Sequence, residues 1–296
     1  MGVRVITDST SYLPAEERDR LGITVASLNV IFKDGTSVRE LDVDDGEFYR
    51  RLSSTGEVPT SSQPSVTELA NAFGEAVQAG DEVVGVFISS AMSGTFETAT
   101  MAREMVLEKH PDAVIELVDS RSNSMQLGMA ALEAARSAAA GASAADAAAV
   151  ARETTMHTRF LFVPHDLEYL RRGGRIGGAS ALVGALLQIR PILTVENGVV
   201  EVFARVRTKR RAMDTIAEAF ASEAARAGLE EVYVHHIDDE AEGRKLAALI
   251  AGTAGTEVPL VAIGPVVGLH VGPGTVGVVY RTRERVAPLG QGGSKS

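Results

Sequence analysis

The chain contains no cysteine, so disulfides, thiolate nucleophiles and every cysteine-bearing zinc or iron–sulfur site are excluded together. That composition suits a reducing compartment. Aromatic residues make up only 5%, none of them interleaved within the cation clusters, and 29 Lys and Arg against 39 Asp and Glu leave a net charge of −10. Nucleic acid is therefore not an expected partner. Long apolar runs are also missing. The stretch from Met1 reaches Asp8 before an apolar region has formed, so a secretory signal is not expected and a cytoplasmic location is. The most lipid-like segment, Met125 to Val150, is carried by alanine and interrupted by Glu133, Arg136 and Asp146. It is expected to form a buried helical hairpin rather than a membrane span, and no stable membrane insertion is expected. Nothing repeats at a period of about 20–50 residues, which argues against a solenoid.

What is present points to a globular protein. There are 296 residues, 45% hydrophobic and 23% charged, with a mean hydropathy of +0.07. At roughly 150 residues per domain, that length points to two domains or one large one. The available chemistry is that of hydroxyls, carboxylates, cations and six histidines.

Short β-branched runs, Val3 to Ile6, Glu82 to Ile88 and Ala113 to Val118, each precede a helical pattern. This alternation predicts an N-terminal α/β domain, residues 1–157, with a parallel sheet and crossover helices. Ligands of such sheets sit beyond the carboxyl ends of the strands. Here those ends are rich in hydroxyls: Thr7-Asp8-Ser9-Thr10-Ser11, Ser89-Ser90-Ala91-Met92-Ser93-Gly94-Thr95 and Asp119-Ser120-Arg121-Ser122. Residues 158–285 read as an α+β domain with a mixed or antiparallel sheet. Its strands are expected at Phe160 to Val163, Ile192 to Val195, Val199 to Phe203, Val232 to Ile237 and Val258 to Ile263. Asn197-Gly198 signals a hairpin. Helices are expected at Thr208 to Ala227 and Asp239 to Ala251, and residues 286–296 have the composition of a flexible tail.

Several motifs carry less than their letters suggest. Gly272-Pro273-Gly274-Thr275-Val276-Gly277 has the spacing of a dinucleotide fingerprint, but a strand-like Val276 to Tyr280 follows where a helix should open. The glycines at 264, 268, 272, 274 and 277 are better read as places where backbone turns or approaches a neighbour closely, with His270 among them. Asp42-Val43-Asp44-Asp45-Gly46 lacks the register and closing glutamate of a calcium loop, so Asp44 or Asp45 is expected as an N-cap. His235 and His236 are neighbours in a strand and point to opposite faces, which does not suit joint chelation; no metal site is expected.

Ser65-Val66-Thr67-Glu68 is a capping box that occupies Ser65 structurally. Ser61 and Ser62 stand just ahead of that helix start, where unsatisfied N–H groups favour an anion. Ser93-Gly94-Thr95 repeats the arrangement, and Ser93 can itself be the N-cap. The pair is either two ordinary capped helices or two hydroxyl-rich starts converging on a carboxylate or phosphate. There is no Gly-Lys-Ser/Thr phosphate loop, nucleophile elbow or Ser-x-x-Lys, so the anion is expected to be bound rather than attacked. Two basic clusters, Arg171, Arg172 and Arg175, and Arg205, Arg207, Lys209, Arg210 and Arg211, are solvated faces, a docking surface, or a source of one arginine turned onto the anion.

Taken together and in order, a set of motifs resembles the DegV family from about Val3 to Tyr280. They are Thr7-Asp8-Ser9, Ser61-Ser62-Gln63-Pro64-Ser65, Ser89-Ser90-Ala91-Met92-Ser93-Gly94-Thr95, Val118-Asp119-Ser120, Leu170-Arg171-Arg172-Gly173-Gly174-Arg175-Ile176, Arg190-Pro191 and His270-Val271-Gly272-Pro273-Gly274. The resemblance implies a long-chain fatty acid bound in a tunnel between two domains, with no other cofactor. It further implies the role of the FakB subunit of bacterial fatty acid kinase, which turns nothing over itself. A separate ATP-using subunit would convert the presented carboxylate to an acyl phosphate for phospholipid synthesis. On the same resemblance, Ser61 or Ser62, Ser93 and Gly94 hold the carboxylate, His270 and Arg207 complete the polar network, and Arg175 with Arg172 beside it docks the kinase. The family writes threonine where this chain has Ser61, which keeps the hydroxyl and loses the methyl that stiffens its rotamer. An alternative reading keeps His270 as a base or nucleophile of a stand-alone enzyme acting on a small acid or ketone.

Overall fold

The computed structural model describes residues 2–182 and 189–289. It divides into two compact units, Met1–Thr155 and Met156–Ser296. Among the described residues no helix is long and apolar enough to cross a membrane.

The first unit runs β1 (Val3–Asp8), α1 (Ala15–Arg20), β2 (Thr24–Ala26), β3 (Asn29–Ile31), β4 (Ser37–Arg39), α2 (Asp45–Thr55), β5 (Thr60–Ser62), α3 (Val66–Gln78), β6 (Glu82–Phe87), α4 (Thr95–Lys109), β7 (Ile115–Asp119), α5 (Ser124–Ala139) and α6 (Ala144–Met156). Four strands form a parallel sheet in the order β2-β1-β6-β7, with Val3 opposite Glu82 and Val83 opposite Ile115. The near-continuous apolar runs of β1 and β6 follow from their central places, since strands of a covered parallel sheet are buried on both faces. Leu69, Phe73 and Ala76 of α3 and Ala99, Ala102 and Val106 of α4 pack with Ile6, Val83, Phe87 and Leu117 in one core. β5 belongs to a small antiparallel sheet, β4-β3-β5, in which Ser61 lies opposite Val30 and Ser62 opposite Asn29. Asp44 caps α2 by accepting from Glu47 N–H at 2.7 Å, and the alanine-rich stretch forms the two consecutive helices α5 and α6.

The second unit runs β8 (Thr158–Val163), α7 (Glu168–Arg172), β9 (Arg190–Glu196), β10 (Val199–Val206), α8 (Lys209–Ala227), β11 (Leu229–His236), α9 (Glu240–Ala254), β12 (Leu260–Ala262), α10 (Pro265–Val271) and β13 (Val276–Thr282). Its six-stranded mixed sheet has the order β10-β9-β8-β13-β11-β12, antiparallel throughout except for β11 with β12. Asn197 and Gly198 turn the β9–β10 hairpin at φ 53° and 88°, as a tight primed turn requires. Met213, Ile216 and Phe220 of α8 and Leu246 and Ile250 of α9 cover one face. On β8, Arg159 is 5% exposed and pairs with Glu223 at 2.9 Å and Glu196 at 3.6 Å, while Tyr280 donates to Glu223. A buried charge needs such company.

Two expectations are revised. A two-turn helix, α10, carries His270 where no helix was expected, only glycines that turn or approach a neighbour closely; Pro265 at its start pre-sets the helical φ. The tail was expected from residue 286, yet Val286 N–H donates to Met156 O and Leu289 N–H to the Glu196 carboxylate. The remainder of that tail, residues 290–296, lies outside the described residues.

The parallel sheet of the first unit reverses its strand order between β1 and β6, and Asp8 sits there with no solvent exposure. Burial outweighs its hydrogen bonds and pushes its pKa from the ordinary 3.8 up to about 6. A raised folded-state pKa means the native protein binds this proton more tightly than the unfolded chain. The Asp8 contribution to stability is therefore greatest below about pH 4 and is lost as pH rises through 6, a swing of roughly 3 kcal/mol. Asp8→Asn titrates nothing at this position. The difference in urea stability between wild type and variant is expected to change by about 2 kcal/mol between about pH 4.5 and pH 7, and parallel pH profiles would refute it.

Candidate functional site

The carboxyl ends of β1, β6 and β7 carry the hydroxyl-rich segments, and each is pinned by a carboxylate or a carbonyl. Asp8 accepts from Ile88 N–H at 2.7 Å and from Thr10 N–H at 3.0 Å. Asp119 accepts from Ser90 Oγ at 2.6 Å, from Ser90 N–H at 3.2 Å and from Arg121 N–H at 2.8 Å. Ser89 donates its N–H to Ser122 O, and its own carbonyl accepts from Met92 and Ser93 N–H at 2.9 and 3.0 Å. Ser93 is thus held by a compact turn whose entry is tied to the end of β1 on one side and to the end of β7 on the other.

Ser93 is not the N-cap. Gly94 occupies that position, and no side chain caps α4 there. The Ser93 hydroxyl instead accepts from Thr95 N–H at 3.3 Å and shares a 2.9 Å hydrogen bond with Thr95 Oγ1. The contrast with α3 is informative. There Ser65 accepts from Glu68 N–H at 3.2 Å while Glu68 accepts from Ser65 N–H at 2.8 Å, so the capping box closes that helix start. In the fifteen-residue α4 Ser93 Oγ takes the Thr95 N–H alone, which leaves the rest of that start open, with its positive dipole end facing the Ser93 turn.

Ser61 and Ser62 end β5 and are half-buried. Side chains alternate across a strand, so only one of the two can face a given ligand. The next residue, Gln63, reaches α4: a Cβ on Gly94 would lie 3.2 Å from Gln63 Nε2. The structure therefore brings the Ser61-Ser62-Gln63 segment and the Ser93-Gly94 turn together within the first unit.

In the second unit, α10 packs on α7 through absent Cβ atoms. A Cβ on Gly173 would stand 2.3 Å from His270 Nδ1, and one on Gly272 would stand 2.5 Å from the Tyr169 ring. Gly272 also has φ +91°, which L side chains rarely adopt. Burial, with a smaller push from Arg175, lowers the His270 pKa to about 4, so its imidazole is neutral near pH 7. Arg175 is exposed and its guanidinium donates to Gly173 O. Arg171 and Arg172 both pair with Glu168, at 2.8 and 2.6 Å, and hold its carboxyl at about 2. Arg207 is exposed in the turn between β10 and α8, where Thr208 caps α8, and it has no ion-pair partner among the described residues. Lys209 pairs with Asp239 and Glu242, and Arg211 with Glu218. The basic runs thus resolve in part into side chains paired with acids of their own surface.

Sequence reasoning missed three polar residues here. Asp8 was visible as a motif letter, but its bond to Ile88 joins positions 80 apart in sequence. Glu40, 5% exposed, accepts from Ser9 Oγ and from Tyr12 OH at 2.8 Å; in sequence it is one acid of a run with Asp42, Asp44 and Asp45, and nothing there sets it apart. Gln63 announced itself only by standing before Pro64.

The family model described as an uncharacterised protein of the DegV family matches residues 2–283. A DegV domain-containing protein of Clostridium acetobutylicum is 46% identical over 286 residues, covering 97% of this chain and 100% of its own. A solved structure showing fatty acid binding of a DegV family protein from Thermus thermophilus aligns with a TM-score of 0.86 at 31% identity, covering 95% of this chain and 100% of that one. A stearic acid-binding protein from Eubacterium ventriosum aligns with a TM-score of 0.87 at 26% identity, covering 95% of this chain and 98% of its own. With agreement that runs almost end to end at 46% identity, this chain belongs to the DegV family.

Proposed function

We propose that this protein binds a long-chain fatty acid, holds its carboxylate at the Ser93-Gly94 turn, and presents it to a separate ATP-using kinase. The observation that carries this reading is the open start of α4, set behind a rigid hydroxyl turn and beside the Ser61-Ser62-Gln63 segment. Backbone N–H groups and hydroxyls there can satisfy a carboxylate without a nucleophile. The fatty acids bound by the Thermus and Eubacterium relatives support the ligand class. Within the second unit, His270 is a buried neutral imidazole and Arg207 an exposed cation with no ion-pair partner among the described residues. In the kinase step a carboxylate oxygen attacks the γ-phosphorus of ATP, forming acyl phosphate and releasing ADP. This chain supplies the bound carboxylate, and the product would feed phospholipid synthesis.

Energetics divide the work. Burying roughly 14 methylenes at about 0.8 kcal/mol each gives on the order of 11 kcal/mol gross. A hydrogen bond to a charged group contributes about 1.5–3 kcal/mol. Affinity comes from the tail and orientation from the hydroxyls. The alternative, in which His270 acts as a general base, is poorly served by a pKa of about 4, because a base works best when matched to the ambient pH.

Three measurements test this reading. Denatured extracts of the purified protein are expected to yield a fatty acid by mass spectrometry; a protein that carries none and takes up none after delipidation would end the proposal. Ser93→Ala is expected to weaken fatty acid binding by about 1–3 kcal/mol in titrations of delipidated protein, whereas equal affinities would leave Ser93 a purely structural turn residue. Arg175→Glu is expected to retain fatty acid binding and lose kinase-dependent acyl phosphate formation. Undiminished formation would remove Arg175 from the docking surface.

A further inference from the structure

The turn that presents Ser93 hangs on a residue that touches no candidate ligand group. At the point where the strand order reverses, β1 and β6 separate beyond their last paired residues, and the backbone N–H of Ile88 emerges just past the end of β6. The β1 side supplies a side-chain acceptor for it, Asp8 Oδ2 at 2.7 Å. The other oxygen of Asp8 accepts from Thr10 N–H at 3.0 Å and from the Thr10 hydroxyl. No side chain outside this set has a bond to it among those described. From Ile88 the chain enters the Ser89 turn directly, and Ser93 follows with its N–H on Ser89 O. The carboxylate therefore fixes the point from which the hydroxyl turn projects.

We propose that Asp8 is the positioning residue of the carboxylate site, setting the Ile88–Gly94 turn so that Ser93 and the start of α4 address the ligand. The inference deepens the fatty acid reading and rests on it for the identity of the ligand. A buried carboxylate is a costly way to satisfy one N–H, and a site that must hold its donors in fixed geometry gives a reason to keep it. Asn has the same shape, but its amide nitrogen is a donor where both oxygens of Asp8 accept. One of the two buried N–H groups, Ile88 or Thr10, then faces another donor.

Two readouts decide the proposal, and only one needs ligand. In hydrogen exchange followed by mass spectrometry, Asp8→Asn is expected to speed exchange in the peptide spanning Ile88 to Gly94 while Val83–Phe87 and β7 keep their protection. Unchanged exchange in that peptide, or acceleration throughout the first unit, would overturn the proposal. In oleate titrations of delipidated protein, Asp8→Asn is expected to lower affinity by about tenfold to a hundredfold. In a Ser93→Ala background the same substitution is expected to cost a clearly smaller factor, because one of the two contacts it positions is gone. An equal factor in both backgrounds would make Asp8 a general stabiliser and refute the role. If delipidated wild type takes up no oleate, the fatty acid reading falls, and the exchange result still decides whether Asp8 sets the turn. Should Asp8→Asn not fold, Asp8→Ala, which also relieves the buried charge, is expected to give the same local exchange. If neither variant folds, Asp8 is a determinant of the fold and the positioning role is wrong.

Discussion

The hydrogen bond from Ile88 N–H to the Asp8 carboxylate joins the two central strands of the first unit where they part, and the neighbouring hydroxyl segments take their places from it. In a parallel sheet a strand end leaves backbone donors that the ladder no longer satisfies, and burial makes an unpaired one costly. Using a carboxylate incurs desolvation, visible in a pKa pushed up to about 6. It also fixes direction, because two oxygens can hold donors from two loops at once. Asp119 repeats the device one strand further along with Ser90 and Arg121, and Glu40 ties Ser9 and Tyr12 to the side sheet that carries Ser61 and Ser62. Three acids thus organise the hydroxyls that a neutral-donor site requires.

The second unit reaches a comparable precision by omission. Gly173 and Gly272 leave out the Cβ atoms that would strike His270 and Tyr169, and this lets a five-residue helix rest on a seven-residue one. His270 becomes buried as a result and loses its proton readily, so a residue that looks catalytic in sequence is a neutral polar group in place. Several other charges of this unit are paired: Arg159 with two glutamates, Lys209 and Arg211 with acids of their own surface.

Much of this was legible beforehand because the governing interactions are local. The parallel sheet followed from apolar runs before helical patterns, the Asp44 cap and the Ser65-Glu68 box from residues three apart, and the β9–β10 turn from Asn197-Gly198. What escaped depends on distant pairs. Asp8 with Ile88 and Gln63 with Gly94 have no spacing that periodicity can detect, and Gly173 against His270 joins positions nearly 100 apart. The misplaced N-cap at Ser93 has a different cause. Serine is a preferred cap, but Ser89 O captures the Ser93 N–H and extends the turn by one residue, passing the cap to Gly94.

On the proposed function, a protein of net charge −10 holds a fatty anion, an electrostatically contrary pairing on its face, yet the range of the forces removes the conflict. Exposed charges farther than about 8 Å are largely screened at physiological ionic strength, whereas N–H groups at a helix start act within the last few ångströms. The choice of donors also matters on the proposed function. A carboxylate locked in a buried arginine pair would have its negative charge offset where it must attack phosphorus. Hydroxyls and backbone N–H groups orient the same oxygens while leaving more of that charge in place. In the first unit the Ser93 turn and the open start of α4 supply such donors, and the buried acids around them hold those donors in position while adding no cation to the site.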